Sequence, residues 1–283
     1  MTLDLFSEQG EGKKDSIGKT EILYKPASSI LTKASGFMQG YDFTLNPYSG
    51  CSFGCSYCYA AFFSRTEEQR RNWGFWLQVK ENAIQLLKKH RKKSLKDKII
   101  YISSVTDPYQ PIEKELKLMR GILQELADYH QPHIVIQTRS PLVTRDIDIL
   151  SKFTNLQVNM TVTTDSEKVR KVFEPLCPSN KMRLDAIKEV KSAGIKSCIT
   201  MTPLLPIENI EQFIRDLKET NVDYFIVQPF HSDRGKYVAG TREAAVSLLK
   251  EMGWSNEKYM EIESMLKESL PNLGIGKEGF KPI

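Results

Sequence analysis

From residue 41 to residue 228 the chain alternates short apolar runs with longer amphipathic stretches, and no other feature restricts its fold as much. Apolar runs of this kind read as strands buried on both faces, and such strands need cover on both sides. Helices placed between successive strands give that cover when the strands run parallel. Six units can be read, with strands at 41–45, 98–103, 133–138, 156–162, 195–201 and 223–228. Helices are expected near 73–89, 113–129, 181–193 and 208–219, with Gly194 as the residue that closes the third. The expected fold is α/β, a partial (β/α)6 barrel of the TIM type with parallel strands. It would occupy 41–230, between an N-terminal extended or capping segment at 1–40 and a C-terminal helical segment and tail at 231–283.

The fourth strand carries a second pattern. Leu156, Val158, Met160 and Val162 share one face, and Gln157, Asn159 and Thr161 share the other. Unpaired polar groups in a dry core cost about 1 to 3 kcal/mol each, so a polar inward face implies a lined cavity. Barrels of this type carry their active sites at the C-terminal strand ends, where Ser104, Thr106, Arg139 and Pro229 fall.

No apolar run approaches the roughly 18 residues a membrane helix needs, and the polar first twenty residues lack the apolar core of a secretory signal. A cytoplasmic protein with reduced thiols, without membrane contact, is therefore expected. A net charge of +5 is mild, and the basic run Lys88, Lys89, Arg91, Lys92 and Lys93 reads as a solvated helix end rather than a nucleic-acid contact.

Five cysteines are too few to staple a chain of 283 residues, yet Cys51, Cys55 and Cys58 lie within eight positions. Fe-S clusters are held by thiolates, and a [4Fe-4S] cube takes four. Three in one loop leave one iron open to an external ligand. Gly50 and Gly54 provide the backbone freedom for a wrapping loop, and Pro47 stiffens its entrance. A Cys3His zinc site with His90, His130, His133 or His231 is the alternative metal, and a non-catalytic Fe-S or zinc binding module the alternative function. Cys198 reads as core and Cys177 as a loop residue.

The run Cys51-Ser52-Phe53-Gly54-Cys55-Ser56-Tyr57-Cys58 after the first strand resembles the cluster loop of the radical S-adenosylmethionine (radical SAM) superfamily. Asn46 to Gly50, Cys58-Tyr59, Ser104 to Pro111, Glu174-Pro175 and Pro203 to Pro206 are similar to its spore photoproduct lyase-like, "DNA repair photolyase" branch. The resemblance implies one [4Fe-4S] cluster on Cys51, Cys55 and Cys58, whose open iron chelates the amino and carboxylate groups of S-adenosylmethionine. One electron then cleaves the sulfur to C5′ bond, and the 5′-deoxyadenosyl radical abstracts hydrogen from a bulky substrate such as nucleic acid. A small metabolite, nucleoside or peptide is the alternative substrate.

The same resemblance implies that Thr106 and Asp107 meet the methionine amino group, that Arg139 meets its carboxylate, and that Asn159 and Thr161 bond the ribose. Tyr57 would lie beside the adenine. Tyr57 and Tyr59 would assist hydrogen return, with Cys177 as a replacement thiol, because Ser104 stands where the lyases place their cysteine donor. Glu174 and Arg183 are expected to have a role that the resemblance does not specify. A reductant such as flavodoxin or ferredoxin, and a monomeric state, complete the expectation.

Overall fold

The computed structural model describes residues 13–230 and 243–280, so His231 lies outside the described residues. Its strands are β1 Ser16–Ile17, β2 Thr20–Lys25, β3 Leu31–Lys33, β4 Phe43–Leu45, β5 Tyr48–Gly50, β6 Trp76–Lys80, β7 Ile99–Ile102, β8 His133–Thr138, β9 Leu156–Thr161, β10 Lys196–Met201, β11 Tyr224–Val227 and β12 Leu273–Ile275. The principal sheet has the order β12-β11-β10-β9-β8-β7-β4-β3. Every pairing in it is parallel except that of β3 with β4. This is the expected partial barrel, extended to eight strands. β12 adds to β11 from beyond residue 230, and β3 adds to β4 from before residue 41.

Helices cover the outer face, and three of them are started by a local side-chain cap. Ser166, Ser179 and Asn209 accept hydrogen bonds from the backbone amides of Val169, Met182 and Gln212, which satisfies donors that the first helical turn leaves free. The core they enclose includes Leu45, Ile100, Ile102, Ile136, Val158, Met160, Val162, Ile199 and Met201. Inside the barrel, the other face of β9 is polar and buried, as its alternation required. Gln157 Nε2 donates to Asn159 Oδ1 at 2.7 Å, and Gln137 Nε2 donates to Thr161 Oγ1 at 2.6 Å and Thr200 Oγ1 at 2.8 Å.

Two expected helices take a different form. The stretch 73–89 begins as strand β6 and becomes helical only over Ala83–Lys89. Its first half lies between β2, parallel to it, and β5, antiparallel to it, so long-range pairing overrides the local helical pattern. The stretch 113–129 is two helices, Glu113–Leu116 and Leu118–Tyr129, broken at Lys117, where φ is +49°. The buried Glu113 carboxylate turns back to accept from Met119 N at 2.8 Å, which supplies the second helix with its cap.

Candidate active site

The three cysteines sit on the loop that leaves β5, at the C-terminal end of the barrel strands. Two tight turns shape it, with Gly54 N donating to Cys51 O and Cys58 N to Cys55 O, both at 3.2 Å. Gly54 has φ +56° and Gly74 has φ +103°, and their backbones touch: a Cβ on Gly74 would stand 2.9 Å from Gly54 Cα. Only glycine at both positions lets the chain before β6 lie against the cysteine loop. On the other side, Gln110 Oε1 accepts from Ser52 N at 2.6 Å and Ser52 Oγ at 3.0 Å, while Thr106 Oγ1 donates to Gly50 O at 2.6 Å. Ser56 N donates to Phe173 O at 2.9 Å, tying the loop to the end of helix Glu167–Phe173.

Cys51 and Cys55 are buried and Cys58 is half-buried, among Phe53, Trp73, Trp76 and Phe173. Burial pushes the Cys51 thiol well above its ordinary value, and the neighbouring Asp107, Cys55 and Cys58 push it further. The buried Cys51 thiol is costly to ionise unless a cation compensates it. Among the described residues no three His, Cys, Asp or Glu side chains converge on a single-ion position. A cube gives each thiolate its own iron and asks for no such convergence, so the donor set fits a [4Fe-4S] cluster. The alternative zinc ligands among the described residues lie elsewhere. His133 begins β8 at the N-terminal end of the barrel and pairs with Asn155, and His130 stands 3.8 Å from Glu125.

Beside Cys55 lies a buried charged cluster. Glu174 is fully buried, with Arg183 Nη2 at 2.6 Å from Oε2 and Arg139 Nε at 3.6 Å from Oε1. Thr163 Oγ1 donates to Oε1 at 3.0 Å, and the Tyr57 hydroxyl donates to the same oxygen. Arg139 Nη2 donates to the Tyr57 hydroxyl at 3.2 Å. Burial alone would raise the Glu174 carboxyl, but Arg183 and Arg139 outweigh it and hold it down at about 2. Glu174 is therefore ionised and paired within this cluster. Arg170 turns to Glu167 at 2.7 Å and to backbone carbonyls, so it does not form the exposed helix pair with Glu174 that their spacing allows.

The expected site residues divide into two sets. Asp107 accepts from Tyr109 N at 2.9 Å, Thr138 Oγ1 at 2.8 Å and Arg139 N at 2.8 Å. It and Thr106, expected at the methionine amino group, are engaged in holding turns. Ser104 Oγ accepts from Asn46 Nδ2 at 3.1 Å, and its carbonyl accepts from the exposed Tyr59 hydroxyl. Asn159 and Thr161 belong to the polar interior already described. Tyr57 is buried, its ring 6.4 Å from that of Phe230. Arg139 differs from the rest, because its buried Nε has no hydrogen-bond acceptor among the described residues.

Cys198 is core, fully buried in β10. Cys177 is not an incidental loop residue, since its Sγ lies 3.6 Å from Cys55 Sγ. That contact lowers the Cys55 thiol, with burial opposing and Arg139 assisting, while burial and then Cys55 push Cys177 well up. Sequence reasoning missed Gln110 and Gly74. Gln110 stands in the quoted 104–111 run and was within reach, whereas nothing local marks Gly74. A cavity of about 250 Å³ at the N-terminal mouth, lined by His133, Asn155, Gln157 and Lys196 among others, includes none of the cysteines.

The family model of the radical SAM superfamily matches residues 45–220, from the end of β4 to just before β11. The chain belongs to the radical SAM superfamily. Membership implies an enzyme that uses a [4Fe-4S] cluster and S-adenosylmethionine. An uncharacterised protein of Methanocaldococcus jannaschii is 39% identical over 188 residues, covering 66% of this chain and 70% of that protein. Spore photoproduct lyase complexed with dinucleoside spore photoproduct has a similar fold, with TM-score 0.60 and 13% identity over 94% of this chain and 87% of that one. A double mutant of that lyase with bound AdoMet and dinucleoside spore photoproduct gives 0.59 and 13%, covering 90% and 81%.

Proposed function

We propose that this chain holds one [4Fe-4S] cluster on Cys51, Cys55 and Cys58, binds S-adenosylmethionine beside it, and acts by hydrogen abstraction on a nucleic-acid substrate. The observation that carries the reading is the Arg139 guanidinium, whose buried Nε has no hydrogen-bond acceptor among the described residues and lies 3.6 Å from Glu174 Oε1, at the same strand ends as the loop on which Cys51 and Cys55 are buried and Cys58 half-buried. When bound, the cluster supplies the electron that cleaves S-adenosylmethionine to a 5′-deoxyadenosyl radical, which takes hydrogen from the substrate.

The protein's own residues bind, orient and exclude water. The Arg139 guanidinium is a planar donor suited to the methionine carboxylate, and Glu174 fixes its orientation from behind. Asn159 and Thr161 present an amide and a hydroxyl to the ribose from the barrel interior. Phe53, Trp73 and Phe173 keep water from the loop. Tyr57 and the exposed Tyr59 are the hydroxyl-bearing groups for hydrogen return, with Ser104 a hydrogen-bonding and not a hydrogen-atom donor. The likeness to the lyase bound to a dinucleoside photoproduct supports the nucleic-acid substrate. A reductant of the flavodoxin or ferredoxin class, a monomeric state and a cytoplasmic location belong to the same reading. Among the described residues no helix is long and apolar enough to cross a membrane.

The test is anaerobic reconstitution followed by dithionite and S-adenosylmethionine, with Cys55→Ala as control. The wild type forms 5′-deoxyadenosine and the variant does not. Iron binding without that product would overturn the reading. DNA and RNA binding followed against salt tests the substrate, because phosphate contacts release counterions and give a steep slope. Absence of binding at low salt moves the substrate to a small metabolite, nucleoside or peptide.

A further inference from the structure

Cys177 is 122 positions from Cys55 in sequence, yet the two sulfurs lie 3.6 Å apart. A disulfide requires about 2.05 Å, so the contact is a sulfur hydrogen bond and not a covalent link. Its geometry is built from both sides. Cys177 N donates to Glu174 O at 3.1 Å, and Arg170 Nη1 donates to Glu174 O at 3.0 Å and to Cys177 O at 2.8 Å. A buried guanidinium thus clamps the turn that carries the thiol. Ser56, the residue after Cys55, anchors the same segment to the loop, its N and Oγ donating to Phe173 O at 2.9 and 3.3 Å. Cys177 is only 6% exposed, so water has little access to its thiol.

We infer that Cys177 is a hydrogen-bond donor to the Cys55 thiolate that raises the reduction potential of the cluster held on this loop. The inference rests on the function proposed above. Potentials of Fe-S clusters depend on hydrogen bonds to their sulfurs and on solvent exposure. The reduced cluster carries one more negative charge than the oxidised one, and part of that charge resides on the thiolates. A donor aimed at a thiolate therefore stabilises the reduced form more than the oxidised form. A thiol is a weak donor, but a buried site strengthens it.

The experiment compares anaerobically reconstituted wild type, Cys177→Ala and Cys177→Ser by iron and sulfide content and by redox titration followed by electron paramagnetic resonance, without S-adenosylmethionine. All three are expected to hold the same iron. At a fixed potential the ratio of reduced to oxidised cluster in Cys177→Ala falls about tenfold, which for one electron is a midpoint lower by about 59 mV. Cys177→Ser, which keeps a donor, recovers at least half of the shift. An unchanged midpoint in Cys177→Ala overturns the inference. A shift that serine does not lessen also overturns it, because it would report packing. Loss of iron in Cys177→Ala overturns it in favour of a fourth ligand. A wild type that holds no cluster sinks the proposed function itself, and this inference falls with it.

Discussion

Arg183 Nη2 lies 2.6 Å from Glu174 Oε2, and neither side chain is exposed to water. The pair joins the helix Asn180–Ser192 to the turn after Phe173, and through the Tyr57 hydroxyl it reaches the cysteine loop. A buried ion pair is weak evidence of net stability, because desolvation offsets the attraction. Removing one partner, however, leaves the other charge uncompensated.

Glu174→Gln is therefore expected to destabilise the protein by roughly 3 to 5 kcal/mol, the range for breaking a buried pair. Urea melts at neutral pH check this through a lower midpoint with an unchanged slope. A loss below about 1 kcal/mol, typical of exposed pairs, would show that Arg183 finds another anion.

Two carboxyls should give opposite pH dependences. Glu174 is held down at about 2 against an ordinary 4.5, because Arg183 and Arg139 outweigh its burial. Its folded value lies below its unfolded one, so its contribution is present above pH 4.5 and is lost as pH falls towards 2. Glu113 is pushed up to about 7 by burial, which its bonds to Tyr48 and Met119 and the nearby Arg145 only partly oppose. Its folded value lies above 4.5, so its contribution is present below 4.5 and is lost as pH rises through 7. Urea midpoints measured from acid to neutral pH should show Glu113→Gln flattening the upper window and Glu174→Gln the lower. Interchanged effects would refute the assignment.

Gly74→Ala should cost the protein its cluster, although residue 74 is 16 positions beyond the last loop cysteine. The added Cβ would meet Gly54 Cα at 2.9 Å, with φ at +103°, so the cysteine loop must move. The check is iron content after reconstitution, with far-ultraviolet circular dichroism to confirm that the fold survives. A wild-type iron content would remove the glycine contact from the site.

Tyr57→Phe should destabilise the protein more than Tyr59→Phe. The Tyr57 hydroxyl joins Arg139 to Glu174 in a buried setting, and losing such a bond costs about 1 to 3 kcal/mol. Tyr59 is exposed, and among the described residues its hydroxyl bonds the Ser104 carbonyl alone, so its change should stay within about 0.5 kcal/mol. Thermal melts of the two variants decide the order.

The parallel sheet was legible because each unit is written locally. β9 alternates side chains with period two, and its polar face, read as the lining of a cavity, is bonded into an internal network. The cysteine loop was legible for the same reason, since three thiols within eight residues are close in any fold. β6 was not legible, because 76–80 becomes a strand only through partners at 21–25 and 48–50. Asp107 and Thr106 were correctly placed at the C-terminal strand ends. Their engagement with Arg139 N and Gly50 O depends on backbone 32 and 56 positions away, which no local pattern reports.

The amino-acid order alone determined the six parallel strands and the thiol loop, since hydrophobic period and spacing act over a few residues. Only the tertiary structure decided that Cys177 meets Cys55, that Arg183 meets Glu174, and that Gly74 supports Gly54. The physical reason is that a hydrogen bond, a buried ion pair or a backbone contact acts only over a few ångströms. Residues distant in the chain come within that reach only when the sheet and its connections have brought them together.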